Sequence, residues 1–198
     1  MVLGLAGNTL LVAYASLCST RAATAALATR LGILALVLVL LWLPLAGIPA
    51  IAYVRGTLGD LSVTTVLLLV LGCWSELTGR ALGVRNQIRV LMLGALTAGL
   101  TLYPWSVGLT RVDPYSWGYG SYMLVGVLSS VAVVCWLRQA YLVVTALLLA
   151  TTAYLLQLGE STNLWDYLVD PLLVLFALVW FGTDWVKFLR RRLSRRAE

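Results

Sequence analysis

The chain has 198 residues, 61% of them hydrophobic and 11% charged, with a formal charge of +6 and a mean hydropathy of +0.94. A soluble domain carries about 25% charged residues, so this composition excludes a water-soluble globule, whose apolar surface so few charges could not cover. The absence of histidine excludes imidazole-ligated haem, His-built zinc or di-iron sites and Ser-His or Cys-His nucleophile pairs.

Seven apolar stretches have the length of a spanning helix, about 17–25 residues. They are 2–18, 31–53, 61–77, 88–109, 119–137, 140–158 and 165–187. The expected fold is an all-α polytopic membrane helix bundle: one transmembrane domain over 1–187 and a basic cytoplasmic tail over 188–198. The segment 2–18 is the weakest, short and interrupted by Gly4, Gly7 and Asn8. A cleaved signal does not fit it, because no basic region precedes the apolar run. The segment 31–53 carries no charge; Pro44 and Pro49 remove backbone donors and predict a kink in its outer half. Leu41-Trp42-Leu43-Pro44 and Thr101-Leu102-Tyr103-Pro104 hint at a parallel repeat of two hairpins, a device found in transporters.

Alternating seven spans gives the orientation. With the C-terminus inside, twelve Lys and Arg fall on the inner side, and only Arg55 and Arg111 fall outside. That bias satisfies the positive-inside rule, so the N-terminus is predicted outside. Six of the fourteen basic residues lie between Lys187 and Arg196. The tail therefore reads as a contact with anionic lipid, and the clustering argues against a nucleic-acid partner. Asp60, Asp113, Glu160, Asp166 and Asp170 all fall at the outer face. Cys18, Cys73 and Cys135 fall near inner span ends, an odd count on the reducing side, so no disulfide is expected. Glu76 with Arg80 and Asp184 with Lys187 have helical pair spacing.

The richest stretch is 103–122, with Tyr103, Trp105, Tyr115, Trp117, Tyr119 and Tyr122 around Arg111 and Asp113. Two readings compete: a platform for a sugar, a lipid headgroup or a partner, and an interfacial aromatic belt. The second stretch, 159–171, offers Ser161, Thr162 or Asn163 as a cap for the last helix, with Asp166 in its first turn. Asp170 sits one turn deeper, where an ionisable group suggests function. The candidate binding residues at the outer face are thus Arg111, Asp113, Tyr115, Trp117, Tyr119, Asp166 and Asp170, with Arg55, Asp60 and Glu160 secondary. Arg111 is expected to bridge to Asp166 or Asp170, with Tyr115, Trp117 and Tyr119 walling the same concavity.

No catalytic set, metal set or cofactor motif is present in the sequence, and no charge lies near a span centre. The leading expectation is a non-enzymatic membrane subunit or scaffold that binds partner proteins or lipid through the outer aromatic loop. The alternative is a small transporter or a lipid- or glycan-handling protein with a carboxylate and arginine site at that face. In the second case an enzyme acting on a lipid-linked substrate would depend on carboxylates for acid–base work. Chain size suits a bacterial cytoplasmic membrane.

Overall fold

The computed structural model describes residues 2–20, 25–80, 83–105 and 113–194. Among them are nine α-helices, one 3-10 turn and a minimal β-hairpin. The helices are α1 (Val2–Ser19), α2 (Leu27–Trp42), α3 (Ala50–Leu58), α4 (Val63–Thr78), α5 (Arg85–Pro104), α6 (Tyr122–Leu137), α7 (Tyr141–Leu155), α8 (Leu164–Leu168) and α9 (Pro171–Ser194). The 3-10 turn covers Pro114–Gly118. The fold is all-α. Among the described residues one helix is long and apolar enough to cross a membrane by those two criteria, the Pro171–Arg190 part of α9. The other apolar helices are shorter.

Two expected spans are broken. The stretch 31–53 is not one kinked helix. It stops at Trp42, turns through β1 (Pro44–Leu45) and β2 (Ile48–Pro49), and restarts as α3. Pro44 pairs with Pro49 and Leu45 with Ile48. Ala46 and Gly47 both have positive φ, as a tight two-residue hairpin turn requires. The cause lies in the prolines. Each disfavours helix at the residue before it, and the residues before them, Leu43 and Ile48, are extended, Ile48 as part of β2.

The stretch 165–187 also divides. Asn163 caps the short α8, its side chain accepting from the Trp165 N–H at 2.9 Å. The chain then extends through Val169. Asp170 accepts from the Leu173 N–H at 2.8 Å, so it caps α9 with Pro171 in the first helical position, where proline loses nothing. Asp170 therefore precedes the last long helix and is not inside it. The hinted repeat does not extend to structure: Pro44 begins a strand, whereas Pro104 closes α5.

Packing follows small residues. α1 lies on α4 and α2, α5 on α9 and α7, and α7 also on α4, α6 and α8. Ala146, Ala150, Ala153 and Ala177 are buried at these crossings, where small side chains let backbones approach. At Gly99 an added Cβ would lie 2.3 Å from Val174, and at Gly72 it would lie 2.7 Å from the Tyr14 ring. By contrast α2 has no buried residue, although it is apolar on every face, and α6 buries only Leu124. Leu36, Val39, Val133 and Leu148 are each close to 60% exposed.

The helices alternate in direction. Gly4 of α1 sits against Asp60 and Arg55, and the starts of α4 and α9 meet at Asp170. At the opposite ends, the Arg30 guanidinium of α2 donates to the Glu76 and Leu77 carbonyls at the close of α4, each at 3.0 Å. Gln87 of α5 accepts from Leu142 N–H of α7 at 2.8 Å. One end of the molecule thus collects carboxylates and the other collects arginines. Glu76 and Arg80 form no ion pair, because α4 ends at Thr78 and Gly79 turns left-handed, placing Arg80 outside the helical spacing. Asp184 and Lys187 share α9 without closing to an ion pair.

Candidate functional site

At the carboxylate end three short pieces of chain converge. The first is α3 with the turn after it. Arg55, in the last turn of α3, forms a two-point contact with Asp60, Nε to Oδ1 and Nη2 to Oδ2 at 3.1 Å. Its Nη2 also reaches Glu160 Oε1 at 2.7 Å. Bidentate guanidinium–carboxylate geometry fixes orientation as well as charge. The hydrogen bonds to Asp60 and then Glu160 hold the Arg55 guanidinium protonated far above its ordinary range. Arg55 in turn draws the Glu160 carboxyl below the usual glutamate value. α1 supports this pair from beneath. A Cβ at Gly4 would fall 2.0 Å from Asp60 Oδ1. Asn8 donates to the Gly4 and Gly59 carbonyls, both at 2.9 Å, and its own Oδ1 is buried with no hydrogen-bond partner.

The second and third pieces are the 3-10 turn and the segment 159–168, which dock on one another. Asn163 donates to the Tyr115 carbonyl at 2.9 Å, and the Trp165 indole donates to the Pro114 carbonyl at 3.0 Å. Gly118 touches Asn163 so closely that a Cβ there would fall 1.7 Å from Asn163 Oδ1. The Tyr167 hydroxyl donates to the Ser161 carbonyl at 3.0 Å and accepts from the Gly159 N–H at 3.2 Å. The frame so formed presents Asp166. The Tyr115 hydroxyl lies 2.9 Å from both of its oxygens, and Ser161 Oγ donates to Oδ2. Burial, then the bond to Asp166, pushes the Tyr115 phenol well above its ordinary pKa. Tyr119 packs edge-on against Tyr115 at 6.0 Å.

Asp170 closes the bottom. It is 5% exposed. Oδ1 takes the Leu173 N–H; Oδ2 takes the Ser62 N–H at 2.9 Å and the Thr65 hydroxyl. Ser62 is itself the cap of α4. One carboxylate therefore satisfies donors at the starts of two helices, whose positive ends favour its charge. No ion pair to Asp170 is present among the described residues.

These groups line a cavity of about 660 Å³. Its wall carries Asp60, Glu160, Asp166 and Asp170 against Arg55, with Tyr103, Tyr115 and Tyr167 between them. A second cavity of about 410 Å³ lies between α1, α4, α5 and α9. It is mainly apolar, reaches Thr65 at one end, and holds Ser75, Glu76 and Arg85 at the other. Thr65, whose hydroxyl holds Asp170, stands between the two.

The structure brings Tyr115, Asp166, Asp170, Arg55, Asp60 and Glu160 to one cavity. It does not bring Asp113, Trp117 or Tyr119 to its wall. Asp113 starts the 3-10 turn by accepting from the Tyr115 N–H at 3.0 Å. Trp117 packs against the main core, and Tyr119 is exposed. Arg111 lies outside the described residues, so its expected bridge to Asp166 or Asp170 does too. Arg55 pairs with Asp60 and Glu160. Sequence reasoning passed over Gly4 and Asn8, read as weaknesses of a span, and also Ser62 and Tyr167. Ser62 directly ahead of the apolar run that starts at Val63 is a capping signal the sequence did carry. No cluster of residues suited to hold a metal ion occurs among the described residues. No protein-family model, curated protein or solved structure shows a significant match to the chain.

Proposed function

We propose that the chain is a polytopic membrane protein, placed in a bacterial cytoplasmic membrane, that serves as a non-enzymatic binding subunit. Helices that are apolar on every face yet bury almost nothing, as α2 and α6 are, fit a hydrocarbon solvent. The carboxylate end then faces outward and the arginine end faces the cytoplasm.

One observation carries the binding reading. Every carboxylate of the larger cavity is already held by donors of this chain: Asp60 and Glu160 by Arg55, Asp166 by Tyr115 and Ser161, Asp170 by two helix starts. A general acid or base needs a free position against the substrate and a pKa near the working pH. Glu160, the most open of them, is held ionised by Arg55. The wall offers four carboxyl groups against the one guanidinium of Arg55. It suits a lysine or arginine of a partner membrane protein.

The test is recovery of the protein from native membranes in mild detergent. A stoichiometric partner should be retained by the wild type and depleted several-fold with Glu160→Gln. Equal recovery with both proteins would refute the reading. Bound amine-bearing lipid and no protein would move the assignment to lipid handling.

A second reading, a small transporter, draws on the position of Thr65. Its bond to Asp170 divides two cavities that open toward opposite ends of the helices. Proteoliposomes loaded with a pH-sensitive dye test it. Proton flux abolished by Asp170→Asn would support it, and no flux in the wild type would sink it.

A further inference from the structure

We propose that the smaller cavity is a binding site for one anionic phospholipid, with one acyl chain between α1 and α9 and the phosphate against Arg85. This rests on the membrane reading above but not on the role of the carboxylate cavity.

Three observations carry it. The first is chemical grading. From Thr65 outward the walls are Leu11, Leu68, Leu69 and Met92, and polar groups gather only at the far end, with Ser75, Glu76 and Arg85. The second is length. Thr65 and Glu76 are eleven residues apart on α4, about 16 Å along the axis. That is close to the depth of one leaflet, half of the roughly 30 Å hydrocarbon core. A chain whose phosphate sits at Arg85 would end at Thr65, where the Asp170 bond blocks further entry.

The third is charge. The mouth lies at the end of the molecule that carries Arg30, Arg80, Arg85 and Arg89, against Glu76 in the groove and Asp184 on α9 as acids. The α5 start at Arg85 has no acidic residue in its first turn and no side chain capping it. Cationic pockets between helices on the cytoplasmic side suit anionic headgroups. The single cation at the mouth and the one-leaflet depth select a lipid over a second helix as the occupant.

The experiment is native mass spectrometry of the full chain after reconstitution with phosphatidylglycerol and phosphatidylcholine in equal amounts. The wild type should keep one phosphatidylglycerol. Arg85→Gln should lower its occupancy about fivefold, the effect of one interfacial cation, and Arg138→Gln, outside the groove, should not. Leu11→Trp, which fills the groove and leaves Arg85 in place, should lower occupancy as well. Equal retention of both lipids, or occupancy unchanged by Arg85→Gln and Leu11→Trp, overturns the proposal. A chain released from membranes by alkaline carbonate would instead overturn the membrane reading beneath it.

Discussion

Tyr115 shows how much one hydroxyl can organise. It reaches both oxygens of Asp166, while its backbone carbonyl takes Asn163 and its N–H is held by Asp113. Phenylalanine would keep the ring and the turn and remove only the bond to a charged acceptor, a loss of about 2 kcal/mol. The pH dependence follows from the direction of the shift. The Tyr115 pKa is raised in the folded state, so its contribution is complete below the unfolded value near 10 and is lost as pH climbs through the folded one. Glu160 behaves oppositely. Its lowered pKa gives a contribution present above about pH 4.3 and lost as pH falls through the folded value. Tyr115→Phe should therefore lower the melting temperature at neutral pH and shrink the further drop that begins at about pH 10 and deepens as pH rises toward the folded value, leaving the acid limb unchanged. Thermal unfolding in detergent at these pH values checks it. An alkaline drop as deep in the variant as in the wild type would show that the Tyr115–Asp166 bond is not the titrating contact.

Elements are joined here by residues too small or too modest to attract notice in a sequence. Gly99 admits Val174 and Gly118 admits Asn163, whereas Gly94 and Gly126 face open space within their helices. The four are indistinguishable by composition. Alanine at Gly99 or Gly118 should cost about 1–3 kcal/mol through overpacking, and alanine at Gly94 or Gly126 should be neutral or gain up to about 1 kcal/mol. Chemical unfolding of the four variants compares them. Equal destabilisation at Gly94 and Gly99 would contradict the packing of α5 on α9. The same contrast explains what was legible. Apolar runs revealed where most helices lie, because hydrophobic length is local information; of the three cap candidates at 161–163, Asn163 is the cap found, but it caps α8, while Asp170 caps the last long helix. The break at 43–49 was read as a kink. Two prolines allow either outcome, and only the pairing of Pro44 with Pro49 decides. Asp170 was read as intruding on a span because its second partner, Ser62, is 108 residues away. The cavity grouping of Asp166 with Tyr115 could be anticipated from adjacent loops; the Gly4 seat beneath Arg55 and Asp60 could not.

At the scale of the molecule, the polar ends and apolar flanks make a statement about the surrounding solvent. α9 runs 24 residues, about 36 Å, enough to cross the roughly 30 Å hydrocarbon core. α2, α4, α6 and α7 run 15–16 residues, about 23 Å; the proposed multi-span arrangement would need the segments at their ends to complete a crossing or the bilayer to thin around them. Those end segments differ in kind. At the carboxylate end they are capped and cross-braced by Ser62, Ser121, Asn163 and Asp170. At the other end they carry Arg30, Arg85, Arg89, Arg138, Lys187, Arg190 and Arg192. Cations on the cytoplasmic side fix orientation, while acids have little effect. In the proposed multi-span arrangement the two ends are not equivalent to the insertion machinery, and one orientation is expected. A reporter joined after Arg85 or in the tail after Leu193 should read cytoplasmic, and one placed between Gly159 and Leu164 should read external. Replacing Arg190 and Arg192 by Gln should leave that pattern intact, because the inner loops before the tail still hold six cations against Arg55 and Arg111. A tail that reads external in the unmodified protein would reverse the assignment of both cavities, placing the carboxylates in the cytoplasm and the lipid groove in the opposite leaflet.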